Sequence, residues 1–437
     1  MIIVHAADIH LGSQLGGLDQ HDGLPVERIR SSPRVALQRI AELCEQRGAD
    51  LLLVAGDLFD RDAPLAVVLE ATAILQRITA AGTRVVLIRG NHDALAKMQR
   101  RLPVIDGVHE LSTRHAQTLS FEHLGVVVHG RGFETQHVPE NIVVDYPARV
   151  EGPFNIGLLH TSLEGSAQHA VYAPCHIDDL VRHGYDYWAL GHIHKHAVVR
   201  AGAPWVVYAG SPQGRHVGEV GDHGVYVLRV EEGALVGEPE HVELATVRWH
   251  HETLVATSED DDMAALVTRA TTRLADIAQA HPTEVLHVVR LTLEGRCAAH
   301  TELAAEPGRW RDELQLAAAS IGAADVCLER VQLRTKPVLP DPEVLRERGD
   351  FVGDLARHLA AEQLARAAGD DGDEDDGGAR GGKPSSLQRL EDKLRVLAAA
   401  GDALRDQPVA GAELDMASDE LLARLLVAQH EELEASR

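Results

Sequence analysis

Asp8 and His10 close the run IIVHAADIH, and Asp57 closes LLLVAGDLFD. Asn91 and His92 close VVLIRGNHD, His160 closes NIGLLHTS, and His192 and His194 close YWALGHIH. Each run is apolar, rich in β-branched or aromatic residues, and suited to a buried strand. Each ends in carboxylates, imidazoles or an amide, all of which bind divalent cations. In a chain with 26 histidines a single His-x-His pair means little. Five strand ends that finish in the same kind of chemistry mean more. In open α/β sheets, sites form outside the carboxyl ends of the strands, so groups distant in sequence can converge there.

The donor set contains oxygen and imidazole nitrogen but no thiolate. It favours Mn²⁺, Fe²⁺ or Zn²⁺ over a soft metal. Asp8, His10, Asp57, Asn91, His160, His192 and His194 exceed what one ion needs. Two ions about 3.5–4 Å apart, sharing a carboxylate, would use them and would clamp a phosphate between them. Gly56, Gly90 and Gly191 stand just before ligands, where a side chain would crowd the turn.

The elements that must position these groups alternate through the first half of the chain. MIIVHAAD, ADLLLVAGD and TRVVLIRGNHD read as strands. Residues 32–48 read as a helix, with Ser32 as its cap, Pro33 in its first turn and Gly48 as its stop. Val35, Ile40, Leu43 and Cys44 form its expected buried stripe. Residues 64–81 read as a second helix ended by Gly82. This βαβαβ order predicts parallel strands with right-handed crossovers. Short strands follow to about residue 230, with a short helix near 176–183, so the expectation is an α/β sandwich with a mixed sheet.

A second α/β unit is expected at 247–336, from three strand-like runs separated by helices near 262–280 and 308–320. A helix is expected at 342–368. The stretch GDDGDEDDGGARGGKPSS, 369–386, reads as a solvated acidic linker. Beyond it, leucines at 387, 390, 394 and 397, and again at 421, 422, 425 and 426, suggest a helical tail that either packs on itself or docks a partner helix.

The order D-x-H, G-D-x-x-D, G-N-H-D, strand-end His and G-H-x-H resembles the calcineurin-like metallophosphoesterases over residues 1–215. That resemblance implies Asp8, His10, Asp57 and His194 on one metal and Asp57, Asn91, His160 and His192 on the other, with Asp57 bridging. It makes His92 the acid that protonates the leaving oxygen. Asp93 would either orient His92 or cap the next turn, and Asp60 would be a hydrogen-bonding neighbour rather than a ligand. HAADIHLGS, VVLIRGNHD and YAGSPQGRHVGEVGDHG further resemble bacterial DNA repair exonucleases of the Mre11/SbcD type, YhaO-like branch. This implies a metallophosphoesterase domain at 1–245, an α/β capping domain at 247–336, a helical extension at 337–368 and a helical C-terminal tail at 387–437. It also implies Mn²⁺, double-stranded DNA ends as substrate and a coiled-coil ABC-type ATPase partner of the Rad50/SbcC kind, with a homodimer allowed. Arg215 and His216 become candidates for phosphate contact, and His21 a candidate for DNA approach. His5, His123, His129 and His196 are expected as surface or satisfied strand histidines.

Composition sets limits. Net charge is −25 and aromatics are 3%, which excludes a broad basic nucleic-acid face and a base-stacking platform. The four cysteines are far apart, which fits a reducing, cytoplasmic setting. No apolar run of membrane-spanning length occurs, and the N-terminus does not read as a signal peptide. Two other functions fit the same residues: a phosphodiesterase for a small substrate such as a cyclic nucleotide or nucleotide-sugar, and a non-catalytic scaffold tethering DNA ends.

Overall fold

The computed structural model describes residues 1–15, 18, 24–61, 63–95, 102–163, 172–257, 262–280, 284–321, 326–367, 422 and 426. His21, the expected linker and, apart from Leu422 and Leu426, the expected tail lie outside these residues.

The first elements are β1 (Ile2–Ala6), α1 (Val26–Arg47), β2 (Leu51–Ala55), α2 (Leu65–Ala80), β3 (Arg84–Ile88) and β4 (Val108–Glu110). β5 (Gln117–Phe121), β6 (Val126–Gly130), β7 (Phe154–His160), α3 (Ile177–Arg182), β8 (Tyr187–Gly191), β9 (Ala197–Arg200) and β10 (Trp205–Tyr208) follow. β11 (Gly224–Glu231), β12 (Ala234–Leu235) and β13 (Glu240–Glu243) come next.

These strands form two sheets where the sequence suggested one mixed sheet. The first has the order β12-β11-β1-β2-β3-β4, with β13 also on β11; the second has the order β5-β6-β7-β8-β10-β9. β1, β2, β3 and β4 are parallel, as are β6, β7, β8 and β10, while β11 is antiparallel to β1. The parallel register puts the carboxyl ends of β1, β2 and β3 side by side, and likewise those of β7 and β8.

β1, β2, β3, β6, β7, β8 and β10 read as continuous apolar runs because both of their faces are buried. Ile3, Leu51, Leu53, Val86 and Ile88 face inward and pack with Val128, Ile156, Leu158, Ala189 and Val207 of the second sheet. Val4, Leu52, Val54, Val85 and Leu87 point the other way, under Leu37, Ile40 and Cys44 of α1 and Val68, Leu75 and Ile78 of α2. Trp188, Leu190, Val206 and Tyr208 pack outward against Val143, Tyr146 and Leu180. The result is two sheets face to face, each covered on its far side.

Helix α1 starts six residues before the expected Ser32, at Val26. Pro33 lies inside it and Ser32 is buried, its hydroxyl donating to the Ile29 carbonyl at 2.7 Å. Pro33 is the eighth residue of the helix and has no N–H to give the Ile29 carbonyl; the Ser32 hydroxyl bonds that carbonyl instead, so the helix runs on through both residues. The buried face is therefore Ile29, Ala36, Leu37, Ile40, Leu43 and Cys44, with Val35 only half-buried.

Farther on lie β14 (Val247–Ala256), α4 (Met263–Gln279), β15 (Leu286–Cys297), α5 (His300–Ala305), α6 (Pro307–Ala319) and β16 (Val326–Pro337), with sheet order β14-β15-β16. The chain divides into two compact units through these strands. One unit is Met1–Glu252 with Thr271–Leu291 and Leu314–Val331; the other is Thr253–Ala270, Thr292–Glu313 and Gln332–Arg437. Within the first, Val247, Trp249, Leu286, Val288 and Cys327 share a cluster with Ile29.

The expected helix at 342–368 is two helices, α7 (Pro342–Glu347) and α8 (Phe351–Ala367). Asp350 separates them: its carboxylate accepts from the Gly353 N–H at 3.0 Å, capping α8. Leu345, Val352, Leu355, Ala356 and Leu422 cluster within the second unit. Among the described residues no helix is long and apolar enough to cross a membrane, and none of the four cysteines forms a disulfide.

His5 is a polar group in the inter-sheet core, fully buried, with Nδ1 2.9 Å from the Tyr187 hydroxyl. Burial pulls its imidazole down to about 3 from 6.5. Below pH 6.5 the unfolded chain therefore takes up a proton that the folded chain refuses. This stabilisation is complete above pH 6.5 and is lost as pH falls toward 3, at about 1.4 kcal/mol per pH unit. Urea titrations at pH 7.5 and 5.5 should show His5→Gln losing about 1 kcal/mol less stability than the wild type over that interval.

Candidate metal centre

The loops that follow β1, β2 and β3 are tied to one another before they reach the site. Asp8 N donates to Gly56 O at 3.0 Å, His10 N to Asp57 O at 2.9 Å and Leu11 N to Leu58 O at 2.9 Å. The Asp93 carboxylate then accepts from the N–H groups of Leu58 (3.2 Å), Phe59 (2.8 Å) and Gly90 (3.0 Å), joining the β2 loop to the β3 loop. The second sheet joins through Asp8, whose two oxygens accept the His192 N–H at 3.1 and 2.9 Å.

These ties hold unusual backbone. Asp8 (φ 51), His10 (φ 49), Asp57 (φ 52) and His192 (φ 101) all occupy positive φ without being glycine. Such conformations cost on the order of 1–2 kcal/mol each and persist where surrounding contacts fix them. Here they turn each side chain off its strand end toward a common point.

Asp8, His10 and His194 each offer a ligand atom, and these atoms lie within 4.8 Å of one another; Asp8, Asp57 and His160 do the same. Asp8 is common to both groups, and Asp57 Oδ2 lies 3.7 Å from His10 Nε2 and 3.6 Å from His160 Nε2. His160 Nε2 is 2.9 Å from Asn91 Oδ1, and the His192 ring stands edge-on to His160 with centroids 5.3 Å apart. Asp8, His10, Asp57, Asn91 and His160 are buried, while His192 and His194 are half-buried. All seven expected ligands are thus brought together.

The donors fit a divalent cation. His160 Nδ1 faces the Ala55 carbonyl at 2.9 Å, which can only accept. The proton therefore sits on Nδ1, and Nε2 presents a bare lone pair toward Asn91 Oδ1 and Asp57. With the Asn91 amide and the Asp57 carboxylate turned toward it, this nitrogen belongs to a set of donor atoms that a shared cation would satisfy. His10 Nε2 and His194 Nε2 face each other at 3.2 Å. Burial, then the Asp57 charge, pushes the Asp8 carboxyl well above its ordinary range. Burial, then Arg215 and His194, holds His10 well below the ordinary imidazole value, and burial lowers His160. Neutral imidazoles beside crowded carboxylates are the form in which metal ligands act.

His92 stands over this cluster, edge-on to His10 with centroids 4.6 Å apart, its N–H donating to Asp57 Oδ1 at 2.8 Å. Asp60, not Asp93, orients its ring: His92 Nδ1 lies 2.7 Å from Asp60 Oδ1. Asp93 is turned away, its carboxylate saturated by the three backbone donors named above. Burial, then Asp57, pushes Asp93 up to about 7. Burial works to raise the Asp60 carboxyl, but the hydrogen bond to His92 and that from the Arg61 backbone hold it well below its ordinary value. The same Asp60 bond, with Asp57 nearby, raises His92 against the effect of burial. His10, Asp60 and His92 also bring ligand-competent atoms within 4.8 Å of one another.

Arg215 reaches the rim, with Nη2 3.1 Å from His194 Nδ1, while the His216 side chain is 63% exposed. Glu219 is a site residue that the motifs do not signal; its Oε1 lies 2.7 Å from His194 Nδ1. Its visible sign is an acidic residue inside the glycine-rich loop QGRHVGEVG. His5 and His129 are buried and bonded, His129 Nε2 to Asn155 Oδ1 at 3.2 Å. His123 is exposed, and His196 Nδ1 lies 3.2 Å from the Tyr226 hydroxyl.

Comparison with known proteins finds two family matches: calcineurin-like phosphoesterase over residues 1–196, and metallophosphoesterase YhaO, middle domain, over residues 249–336. The uncharacterized metallophosphoesterase YhaO of Bacillus subtilis is 35% identical over 237 residues, covering 53% of this chain and 58% of that protein. The DNA double-strand break repair protein Mre11 of Methanopyrus kandleri is 26% identical over 289 residues, covering 58% of each. The chain therefore spans less than two thirds of the length of either relative. Among solved structures, a dimetal phosphatase from Danio rerio matches at TM-score 0.35 and 10% identity, covering 56% of this chain and 99% of that one.

Gly90 tests the packing of the centre. A Cβ there would lie 2.2 Å from Asp57 Oδ1 and 2.7 Å from His160 Cε1. Gly90→Ala should weaken divalent-cation binding by roughly tenfold or more, with the far-ultraviolet circular dichroism unchanged. Isothermal titration with Mn²⁺ measures it.

Proposed function

We propose that the chain is a two-metal phosphodiesterase acting on DNA ends, a reading supported by its match to the calcineurin-like phosphoesterases over residues 1–196 and to the YhaO middle domain over 249–336. The carrying observation is the convergence of Asp8, His10, Asp57, Asn91, His160, His192 and His194 beneath the His92–Asp60 pair. Asp8, His10, Asp57 and His194 would hold one ion, and Asp57, Asn91, His160 and His192 the other, with Mn²⁺ the proposed occupant. Bound ions supply Lewis acidity and lower the pKa of water.

The chain's own residues do the rest. Asp60 accepts from His92 Nδ1–H, which leaves the second ring proton at Nε2, free to pass to the departing oxygen. The raised pKa keeps His92 charged closer to neutrality, where a general acid works best. Asp57 fixes the His92 backbone through one oxygen and faces the two imidazoles with the other, so acid and cation site share one anchor.

DNA is favoured as substrate by the likeness to the DNA double-strand break repair protein Mre11 of Methanopyrus kandleri. A net charge of −25 means that the isolated chain should bind DNA weakly. A coiled-coil ATPase of the Rad50/SbcC kind would supply the long DNA surface, and a cytoplasmic repair complex is the proposed setting.

The test incubates the chain with Mn²⁺ and either end-labelled linear duplex DNA or a chromogenic bis-ester, with and without the ATPase. Degradation of DNA that chelator abolishes supports the proposal. Cleavage of the bis-ester alone, under both conditions, overturns it in favour of a small substrate. His92→Ala should keep its Mn²⁺ and lose about 10²–10⁴-fold in turnover. Asp60→Asn should lower kcat while leaving bound-metal stoichiometry, measured by mass spectrometry, unchanged.

A further inference from the structure

His194 has two ring nitrogens with different neighbours. Nε2 faces His10 Nε2 at 3.2 Å, inside the candidate metal centre. Nδ1 lies 2.7 Å from Glu219 Oε1. A carboxylate can only accept, so bonding to Glu219 requires a proton on Nδ1 and leaves Nε2 with a bare lone pair. The opposite tautomer would place the proton on Nε2, where it would face His10. Only the first arrangement leaves Nε2 of His194 able to take a cation from the centre.

Arg215 lies against the ring, its Nη2 3.1 Å from Nδ1 and 3.5 Å from Nε2, and its Nε is buried with no hydrogen-bond partner among the described residues. Glu219 restrains it as well as the imidazole. Oε2 accepts the Arg215 backbone N–H at 2.8 Å, and Oε1 lies 3.3 Å from Arg215 Nη2. The Glu219 side chain is only 10% exposed. The loop that carries it is folded back onto the site. Ser211 N donates to His194 O at 2.9 Å, Glu219 N donates to His216 O at 2.8 Å, and buried His223 lies 3.1 Å from the Glu219 carbonyl. A side chain at Gly214 would meet that carbonyl at 2.8 Å, so the loop closes only with glycine there.

We infer that Glu219 is a positioning residue that selects the Nδ1–H tautomer of His194 and holds Arg215 in place beside the ring. The inference rests on the metal-centre reading above. A carboxylate behind a ligating imidazole fixes both ring orientation and tautomer, and its loss typically weakens metal affinity by roughly 10–100-fold.

Two readouts independent of hydrolysis test it on the full chain. The first is Mn²⁺ affinity by isothermal titration. Glu219→Ala should weaken binding by roughly 10–100-fold, and Glu219→Gln, whose carbonyl still accepts from Nδ1–H, should recover most of the loss. The second is the His194 tautomer in metal-free, ¹⁵N-histidine-labelled protein, assigned with His194→Gln as reference. Wild type and Glu219→Gln should show Nδ1–H, and Glu219→Ala should move to Nε2–H. Wild-type affinity and an unchanged tautomer in Glu219→Ala would overturn the inference. So would equal losses in the Ala and Gln variants, which would reduce Glu219 to a loop anchor. A wild-type chain that shows Nδ1–H and binds Mn²⁺ but hydrolyses no phosphodiester would overturn the proposed function while supporting this tautomer assignment.

Discussion

Two carboxylates, Asp8 and Asp57, are buried side by side among imidazoles that burial keeps neutral. Taken out of water, each charge loses solvation and repels the other. The chain answers in part with backbone donors, the His192 N–H on Asp8 and the His92 N–H on Asp57. Those bonds satisfy some lone pairs but not the charge. A divalent cation would satisfy the rest, and the neighbouring nitrogens are disposed to receive one. The fold's less ordinary features follow from keeping this pair in place.

Chief among them is the backbone at the strand ends. A regular strand would send successive side chains to opposite faces of its sheet. Left-handed turns at Asp8, His10, Asp57 and His192 instead bring them to the rim. Those turns are tolerable because loops from neighbouring strands are bonded across one another and because parallel pairing aligns the strand ends. Gly56, Gly90 and Gly191 matter for a related reason: a Cβ at any of them would strike His160, Asp57 or the Ala55 carbonyl.

Around the candidate ligands lie acids that hold other groups in place. Asp60 holds His92, Asp93 joins two loops and Glu219 holds His194. The motifs name the first two positions, but their roles could not be divided from sequence. Asp93 is next to His92 in the chain, yet a side chain and its sequence neighbour point apart, and the turn carries the Asp93 carboxylate toward the β2 loop. Asp60, 32 residues away, is delivered to His92 by the β2 loop. Glu219 is more remote still, because its loop belongs to no strand end and carries no spacing that marks a ligand.

Local chemistry and periodicity were enough to show parallel strands, their order in the first half of the chain, and the residue types gathered at their ends. Those are consequences of hydrophobic pattern and donor type, which each segment carries by itself. The start of α1 was misplaced because Ser32 and Pro33 look like boundary signals but are satisfied within a longer helix. The division into two sheets, the break at Asp350, and the pairing of each acid with its histidine depend on which segments become neighbours. Only the packed chain decides that, because such neighbours are chosen by burial of whole faces and not by any one segment's sequence.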